Sequence, residues 1–327
     1  MTPPIFQKTQ KTYAVFIFIL LLFFSACAKE EQAPLRIGNN VWPGYEPLYL
    51  ARSLGYFDNT PIHLVEFPSA SEVLRAYNSK AIEGAGLTMD EVLQLAENRQ
   101  DPRVVAIMDF SHGGDVILGK PDIPDMPGLK GKRVGVEATA LGAYVLTRAL
   151  ETNGMALQDI QIVSLEVNEH LEAFKKDQVD AVVTFGPVHS TLLEKGARLL
   201  FDSSKIPGEI VDVLTIRSDF IRDNPETVRL LLEGWFKAID YMKKNPEDAA
   251  RRMAPREKVT PEEFMASLKG LQILSLQENQ DYLRNKESSF YKGLGRLSSL
   301  MLERKLLKVP MDPLSLIDPG PLSRLTP

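Results

Sequence analysis

The chain has 327 residues, of which 44% are hydrophobic and 25% are charged, and its formal net charge is −5 at pH 7. This composition is typical of one or two soluble globular domains with sizeable cores. Acidic residues outnumber basic ones, 43 against 38, which argues against nucleic acid as a partner and against attachment to a membrane by a basic surface.

The N-terminal segment has the layout of a secretory signal. Two lysines precede an unbroken apolar run at 13–24, and two small residues lead from this run to Cys27, the only cysteine in the chain. The run is too short to span a bilayer, so residues 1–26 are predicted to be a signal peptide. The sequence FSAC at 24–27 resembles the lipobox of bacterial lipoproteins, in which the cysteine is diacylated, although Phe24 replaces the usual leucine. The alternatives are an uncleaved anchor and a signal peptide with an accidental cysteine.

From Leu35 onward, short apolar runs alternate with helical patterns, which predicts α/β units around a mostly parallel sheet. A first set of strands and helices runs from LRIGNN to RVVAIMDFS, with Ser71 and Thr88 suited to helix starts. A loop rich in proline and glycine, PDIPDMPGLKGK, separates it from a second set, which begins at KRVGVE. This second set is followed by a strand predicted for IVDVLTIRSDFI at 210–221.

A helical tail follows from Asn224, with proline in the first turn of each predicted helix. Its segments are NPETVRLLLEGWFKAIDYMKK, NPEDAARRM and TPEEFMASLKG. Because the tail is too apolar to stand alone, we expect it to pack on the first set.

Four segments, in this order, resemble periplasmic substrate-binding proteins of ABC transporters, in the branch of nitrate, taurine and alkanesulfonate receptors and thiamine-precursor binders. They are WPGYEPLYLA, PGLKGKRVGVEATALGAYVL, DQVDAVVTFGP and LTIRSDFIRDNPETVRLLLEGWFKAIDYMKKNPEDAA. The resemblance implies an α/β fold of the two-lobed periplasmic binding protein class (type II), with a hinge and a helical C-terminal tail packed on lobe 1. It assigns 34–112 to lobe 1, 113–211 to lobe 2, and 212–327 to the return into lobe 1.

The resemblance also implies a monomeric solute receptor without catalytic activity or cofactor, anchored by a lipid on Cys27 in the periplasm or at the cell surface. Such a receptor binds a small organic molecule, zwitterionic or amine-bearing and related to taurine or sulfonates, and delivers it to an ABC permease. A sensing module that feeds a receptor kinase or cyclase is the alternative. A further alternative is an enzyme of the pyrimidine-precursor or menaquinone-pathway type. No HxxxH or CxxC spacing indicates a metal site.

Ligands of open α/β folds bind beyond the carboxyl ends of strands, so the strand-to-helix turns supply candidate ligand-binding residues. These are Trp42, Tyr45, Ser69, Ser71, Thr88, Asp90, Thr139, Ala140, Leu141, Thr184, Phe185 and Pro187. Aromatic faces can stack on a ligand or hold a cation, while the serines, threonines and Asp90 can instead be helix caps. In related receptors the turn at 139–141 grips an anionic group, which Glu137 would repel unless it points away.

Acidic residues near the lobe crossings bear on the charge of the ligand. Asp109 and Asp115 flank the first crossing, and Asp212 interrupts the apolar run of a returning strand. A buried carboxylate needs a partner, so Asp109 and Asp212 are further candidate ligand-binding residues. Pairing of Asp212 with Arg217 or Arg75 is the alternative. If two of these acids face the cleft, nitrate is disfavoured and a ligand with an amino group is favoured.

Overall fold

The protein contains two β-sheets, described by a computed structural model over residues 33–137 and 140–326. The six-stranded sheet has the order β11-β4-β10-β3-β1-β2. Its strands are β1 (Leu35–Asn39), β2 (Ile62–Glu66), β3 (Gly84–Thr88), β4 (Pro102–Ser111), β10 (Val211–Arg217) and β11 (Leu271–Ile273). We name the part built on this sheet lobe 1. The predicted signal peptide and Cys27 lie outside the described residues.

The five-stranded sheet defines lobe 2 and has the order β7-β6-β8-β5-β9. Its strands are β5 (Val116–Gly119), β6 (Arg133–Val136), β7 (Gln161–Ser164), β8 (Ala181–Thr184) and β9 (Arg198–Asp202). Alternate residues of β5 enter different cores, as the period of two in a strand requires. Ile117 joins one hydrophobic cluster, whereas Val116 and Leu118 join another. The sheet of lobe 2 is thus covered on both faces.

The prediction of mostly parallel sheets is only partly right. In lobe 1, β1 pairs in parallel with β2 and β3, but β10 runs antiparallel to both β3 and β4. In lobe 2, β6 is parallel to β7 and β8, while β5 is antiparallel to β8 and β9. The reason is the lobe crossing: β4 leads out of lobe 1 and β10 returns beside it, so the two strands run in opposite directions.

The helices of the described residues include the predicted helices in the predicted order. They are α1 (Glu46–Ser53), α2 (Ala70–Asn78), α3 (Met89–Glu97), α4 (Ala140–Thr152), α5 (His170–Lys175), α6 (Val188–Glu194), α7 (Ser218–Asp223), α8 (Pro225–Lys244), α9 (Pro246–Glu257), α10 (Pro261–Ser267), α11 (Leu276–Arg284), α12 (Ser289–Glu303) and α13 (Gly320–Ser323). Helices α4 to α6 belong to lobe 2, whereas α7 and α11 to α13 were not predicted. No helix in 33–137 or 140–326 has the length and apolarity to cross a bilayer.

Two local predictions are wrong. The strand predicted for 210–221 ends at Arg217, and helix α7 begins at Ser218, whose backbone amide donates to the carbonyl of Asp101 at 3.1 Å and so draws the chain away from the sheet. Helix α2 is capped by Ser69 rather than Ser71, because the hydroxyl of Ser69 accepts a hydrogen bond from the amide of Glu72.

The helical tail packs on lobe 1, as predicted. Trp235 of α8 is fully buried and shares a hydrophobic cluster with Leu48 of α1 and with the strands of the six-stranded sheet. Gly234 permits the close approach of Phe57, since a Cβ atom there would lie 2.2 Å from the ring. The tail is therefore part of the main core of lobe 1.

Candidate ligand-binding site

A cavity lies between the two lobes, at the position where small-molecule ligands of open α/β folds bind. The turns that follow β1, β3 and β8 reach it, as expected for the carboxyl ends of strands. Its lining residues are Asn40, Trp42, Tyr45, Ala70, Thr88, Glu91, Asp115, Glu137, Leu141, Gly142, Val145, His170, Val183, Thr184, Phe185 and Asp212. Both lobes thus supply its walls.

Trp42 and Phe185 meet across the cavity from opposite lobes. Their ring centroids lie 5.5 Å apart with an interplanar angle of 89°, an edge-to-face contact that is favourable for aromatic pairs. The indole Nε1 of Trp42 donates to Oδ2 of Asp109 at 3.2 Å, which fixes the ring. Gly44 makes room for this pair, because a Cβ atom there would lie 1.8 Å from Oδ2 of Asp109.

Tyr45 and Asp212 form a buried pair at the wall of lobe 1. The phenol of Tyr45 donates to Oδ1 of Asp212 at 2.5 Å, and Oδ2 of Asp212 is buried without a partner among the residues that the structure describes. The alternative that Asp212 pairs with an arginine is wrong, because Arg217 contacts Glu83 and Asp219, whereas Arg75 contacts Glu72 and Glu166. Asp212 faces the cavity instead.

The cavity is acidic. Four lining side chains, Glu91, Asp115, Glu137 and Asp212, carry carboxyl groups, and the part of the lining that belongs to the described residues contains no lysine or arginine. All four are buried. Burial raises the pKa of Asp115 to about 7, and it raises the pKa of Glu91 and of Asp212 well above the usual range. Ionising these groups at neutral pH therefore requires a positive partner.

Neutral polar groups also line the cavity without partners in the described structure. They are the hydroxyls of Thr88 and Thr184 and both ring nitrogens of His170. Only 1% of His170 is exposed, and burial lowers the pKa of its imidazole to about 4. A neutral imidazole beside unpaired hydroxyls can donate to or accept from a polar ligand.

The predicted candidates divide into three groups. Trp42, Tyr45, Thr88, Leu141, Thr184, Phe185 and Asp212 line the cavity. Ser69, Ser71, Asp90, Asp109 and Pro187 are not among its lining residues; Ser69 caps α2, Asp109 supports Trp42, and Asp90 is buried in the first turn of α3. Thr139 lies outside the described residues, and Ala140 is the first residue of α4. A role in ligand binding stays a prediction for every candidate.

Several lining residues were not predicted, notably Asn40, Glu91 and His170. Asn40 and Glu91 lie in or just after a strand-to-helix turn, so the rule that selected Trp42 and Thr88 could have found them. Glu137 was expected to repel an anion unless it turned away. The structure places its carboxylate at the cavity, where it accepts hydrogen bonds from Ser71 of lobe 1.

The described residues contain no group of three or more histidine, cysteine or acidic side chains arranged to hold a metal ion.

Solved structures share this fold. The alkanesulfonate-binding protein SsuA of Xanthomonas axonopodis pv. citri, bound to MOPS, matches 88% of this chain and 98% of its own with a TM-score of 0.74 and 22% identity. The desulfurization enzyme DSZB matches 89% of this chain and 98% of its own with a TM-score of 0.66 and 18% identity. These likenesses show the fold alone. They show that the protein has the two-lobed fold of periplasmic binding proteins, which confirms the predicted fold class.

The family follows from the sequence. The family model described as NMT1/THI5 like matches residues 42–249, and the chain belongs to this family. A putative binding protein of Brucella abortus (strain 2308) is 26% identical over 64% of this chain and 66% of its own length, so the match spans just under two thirds of that relative. The taurine-binding periplasmic protein of Escherichia coli (strain K12) is 25% identical over 56% of this chain and 58% of its own. The family resemblance predicted from the sequence is confirmed.

Proposed function

We propose that the protein is an extracytoplasmic solute receptor that binds a small amine-bearing molecule between its lobes and delivers it to an ABC permease. The observation that carries the proposal is the charge of the cavity: among the residues described in 33–137 and 140–326, four carboxyl side chains and no lysine or arginine line its walls. Family membership and the binding proteins among its relatives support the receptor role.

The acidic lining favours a cationic group over an anionic one. An ammonium or amidinium group can replace the protons that Asp115 and Asp212 hold when buried, and it thereby supplies the missing positive partner. A sulfonate or nitrate without an amine would meet unfavourable charge in a low-dielectric site. A zwitterion such as taurine would place its amine toward these acids.

Aromatic side chains of the cavity contribute to ligand recognition as well. Trp42 and Phe185 present aromatic surface from opposite lobes, and aromatic faces attract cations as well as apolar groups. Because each ring comes from a different lobe, a ligand that contacts both stabilises the closed clamp.

Export and lipid anchoring are also proposed, on the basis of the signal layout at 1–26 and the lipobox-like residues before Cys27. Delivery to a permease and presentation to a membrane sensor use the same cavity. Permease and ATPase genes beside the gene for this chain would favour transport, whereas a neighbouring receptor-kinase gene would favour sensing.

A thermal-shift screen with matched compounds tests the ligand class. Each amine is paired with a sulfonate of the same carbon skeleton, and a ligand of the native state raises Tm through RT ln(1 + [L]/Kd). We expect amines to raise Tm, and Asp115→Asn to reduce this effect while the exposed Asp122→Asn does not. Shifts by sulfonates that lack an amine, with none by amines, would contradict the proposed ligand class.

Recovery of the ligand distinguishes a receptor from an enzyme. The fold is shared with a desulfurization enzyme, and fold alone does not determine activity. We expect a bound amine to be recovered chemically unchanged after prolonged incubation with the protein. Accumulation of a product would identify an enzyme instead.

A further inference from the structure

Glu137 joins the two lobes at one edge of the cavity. It follows β6 in lobe 2, and Oε1 of its carboxylate accepts hydrogen bonds from both the backbone amide and the hydroxyl of Ser71, each at 2.9 Å. Ser71 lies in the first turn of α2 in lobe 1. Only 5% of Glu137 is exposed, so this contact is shielded from solvent.

The carboxylate of Glu137 acts as an anion bound at the N-terminus of α2. The first amides of a helix have no partners within the helix and carry partial positive charge, so they favour an anionic group. Here the amide of Ser71 is held by Glu137, and the amide of Glu72 is held by the Ser69 hydroxyl at 3.3 Å. Two of the donors that an anionic ligand group would use are therefore already engaged.

Glu137 also faces the cavity, where it can exclude an anionic ligand group from the N-terminus of α2. Glu137 lines the cavity together with Ala70, the first residue of α2. An anionic ligand group near this helix end would have to displace the carboxylate or lie beside it. Both are unfavourable, because a displaced Glu137 would be buried without a partner.

We propose that Glu137 is a specificity-determining residue, which excludes anionic ligand groups by occupying the N-terminus of α2 while it ties lobe 2 to lobe 1. The inference deepens the proposed function, and it rests on that function only in placing the ligand in this cavity. It assigns the exclusion of anionic groups to one named side chain, whereas the attraction of amines rests on the carboxyl groups of the cavity together.

The test uses methanesulfonate as the anionic probe, with affinity measured by isothermal titration calorimetry on the purified protein. Removing the carboxylate in Glu137→Ala frees the helix amides, so we expect this variant to bind methanesulfonate about tenfold more tightly than the unmodified protein. Glu166→Ala is the matched control. Glu166 also belongs to lobe 2 and contacts α2, through Arg75 at 3.4 Å, but it does not line the cavity.

The outcomes separate the inference from a general effect of charge. If Glu137→Ala binds methanesulfonate more tightly and Glu166→Ala does not, the result supports the role of Glu137. Equal increases in affinity in both variants, or an increase in neither, overturn it. If Glu137→Ala does not fold, Glu137→Gln replaces it, with Glu166→Gln as the control. The amide keeps an acceptor for Ser71 but loses the charge, so a smaller gain is expected, and no gain beyond the control overturns the inference.

The failure of the proposed function would look different. If the unmodified protein binds no amine, the proposed ligand class is wrong whatever methanesulfonate does. If amines bind but Glu137→Ala gains no affinity for methanesulfonate, only the role of Glu137 is wrong.

Discussion

The phenol of Tyr45 donates a hydrogen bond of 2.5 Å to Asp212, and within 33–137 and 140–326 it is the only hydrogen-bond partner of that carboxyl group. Tyr45 lies in the turn after β1, and Asp212 lies in β10, which returns the chain to lobe 1. The pair therefore joins two segments that are distant in sequence, directly at the cavity wall.

Tyr45→Phe is expected to lower the free energy of unfolding by about 1 to 2 kcal/mol, because it leaves Asp212 buried with no donor. Urea unfolding measures this difference. Tyr56→Phe is the control, since Tyr56 is half-buried and its hydroxyl forms no hydrogen bond within the described residues. Equal losses in the two variants would show that the pair contributes nothing specific.

Gly44→Ala is expected to displace the pair formed by Trp42 and Asp109, since the added Cβ atom would lie 1.8 Å from the carboxylate and 2.5 Å from the indole nitrogen. Overpacking of this kind costs about 1 to 3 kcal/mol, and it should also weaken ligand binding. Gly295→Ala is the matched control, because no atom beyond its chain neighbours and the backbone of its own helix lies within 4 Å of its added Cβ. Unfolding curves and tryptophan fluorescence report both effects, and a Gly44→Ala protein that behaves like the control contradicts the expectation.

Asp212→Asn is expected to reduce affinity for an amine ligand about tenfold or more, because charge-assisted hydrogen bonds are about twice as strong as neutral ones. Stability of the ligand-free protein should change little or rise, since the variant no longer buries an ionisable carboxyl group. Asp219→Asn on the exposed side of α7 serves as the control. Unchanged amine affinity in Asp212→Asn would remove this residue from the site.

Stability should fall as the pH rises above neutrality. Burial raises the pKa of Asp115 to about 7 and that of Asp109 to about 8, so the folded protein keeps protons that the unfolded chain has lost. The free energy of unfolding is therefore expected to drop by about 1 kcal/mol or more between about pH 6.5 and about pH 8.5. Burial lowers the pKa of His170 to about 4. This histidine therefore makes stability rise with pH, but only below neutrality. Equal or greater stability at the higher pH would contradict this expectation.

Ligand binding should show the reverse dependence on pH. An ammonium group stabilises the ionised carboxylates, so binding of an amine is expected to release protons and to strengthen as the pH rises through the same window. Calorimetry in buffers of different ionisation enthalpy measures the number of protons released. No proton release at neutral pH would indicate that the acids of the cavity are already ionised without the ligand.

The order of the elements could be predicted from the sequence, because apolar periodicity and proline or glycine signals are local. Strand direction could not: β10 lies antiparallel between β3 and β4, and this pairing depends on how the chain crosses between lobes. The helix at Ser218 was missed for a similar reason, since its contact with Asp101 joins residues far apart in sequence.

Cavity-lining residues could be predicted where they lie just beyond the carboxyl ends of strands. Trp42, Thr88 and Thr184 were found because the carboxyl ends of strands converge. His170 was missed because a histidine in a polar helix has no local signal of burial. The contact between Glu137 and Ser71 exists only when the lobes meet, so neither segment alone could indicate it.

Binding of an amine-bearing solute in the cavity can be tested most directly by mass spectrometry of the small molecule released when protein from its native host is denatured. We expect a compound that is stoichiometric with the protein and contains at least one basic nitrogen, and that rebinds to the unmodified protein more tightly than to Asp212→Asn. A stoichiometric sulfonate, nitrate or other ligand without a basic nitrogen would contradict this expectation.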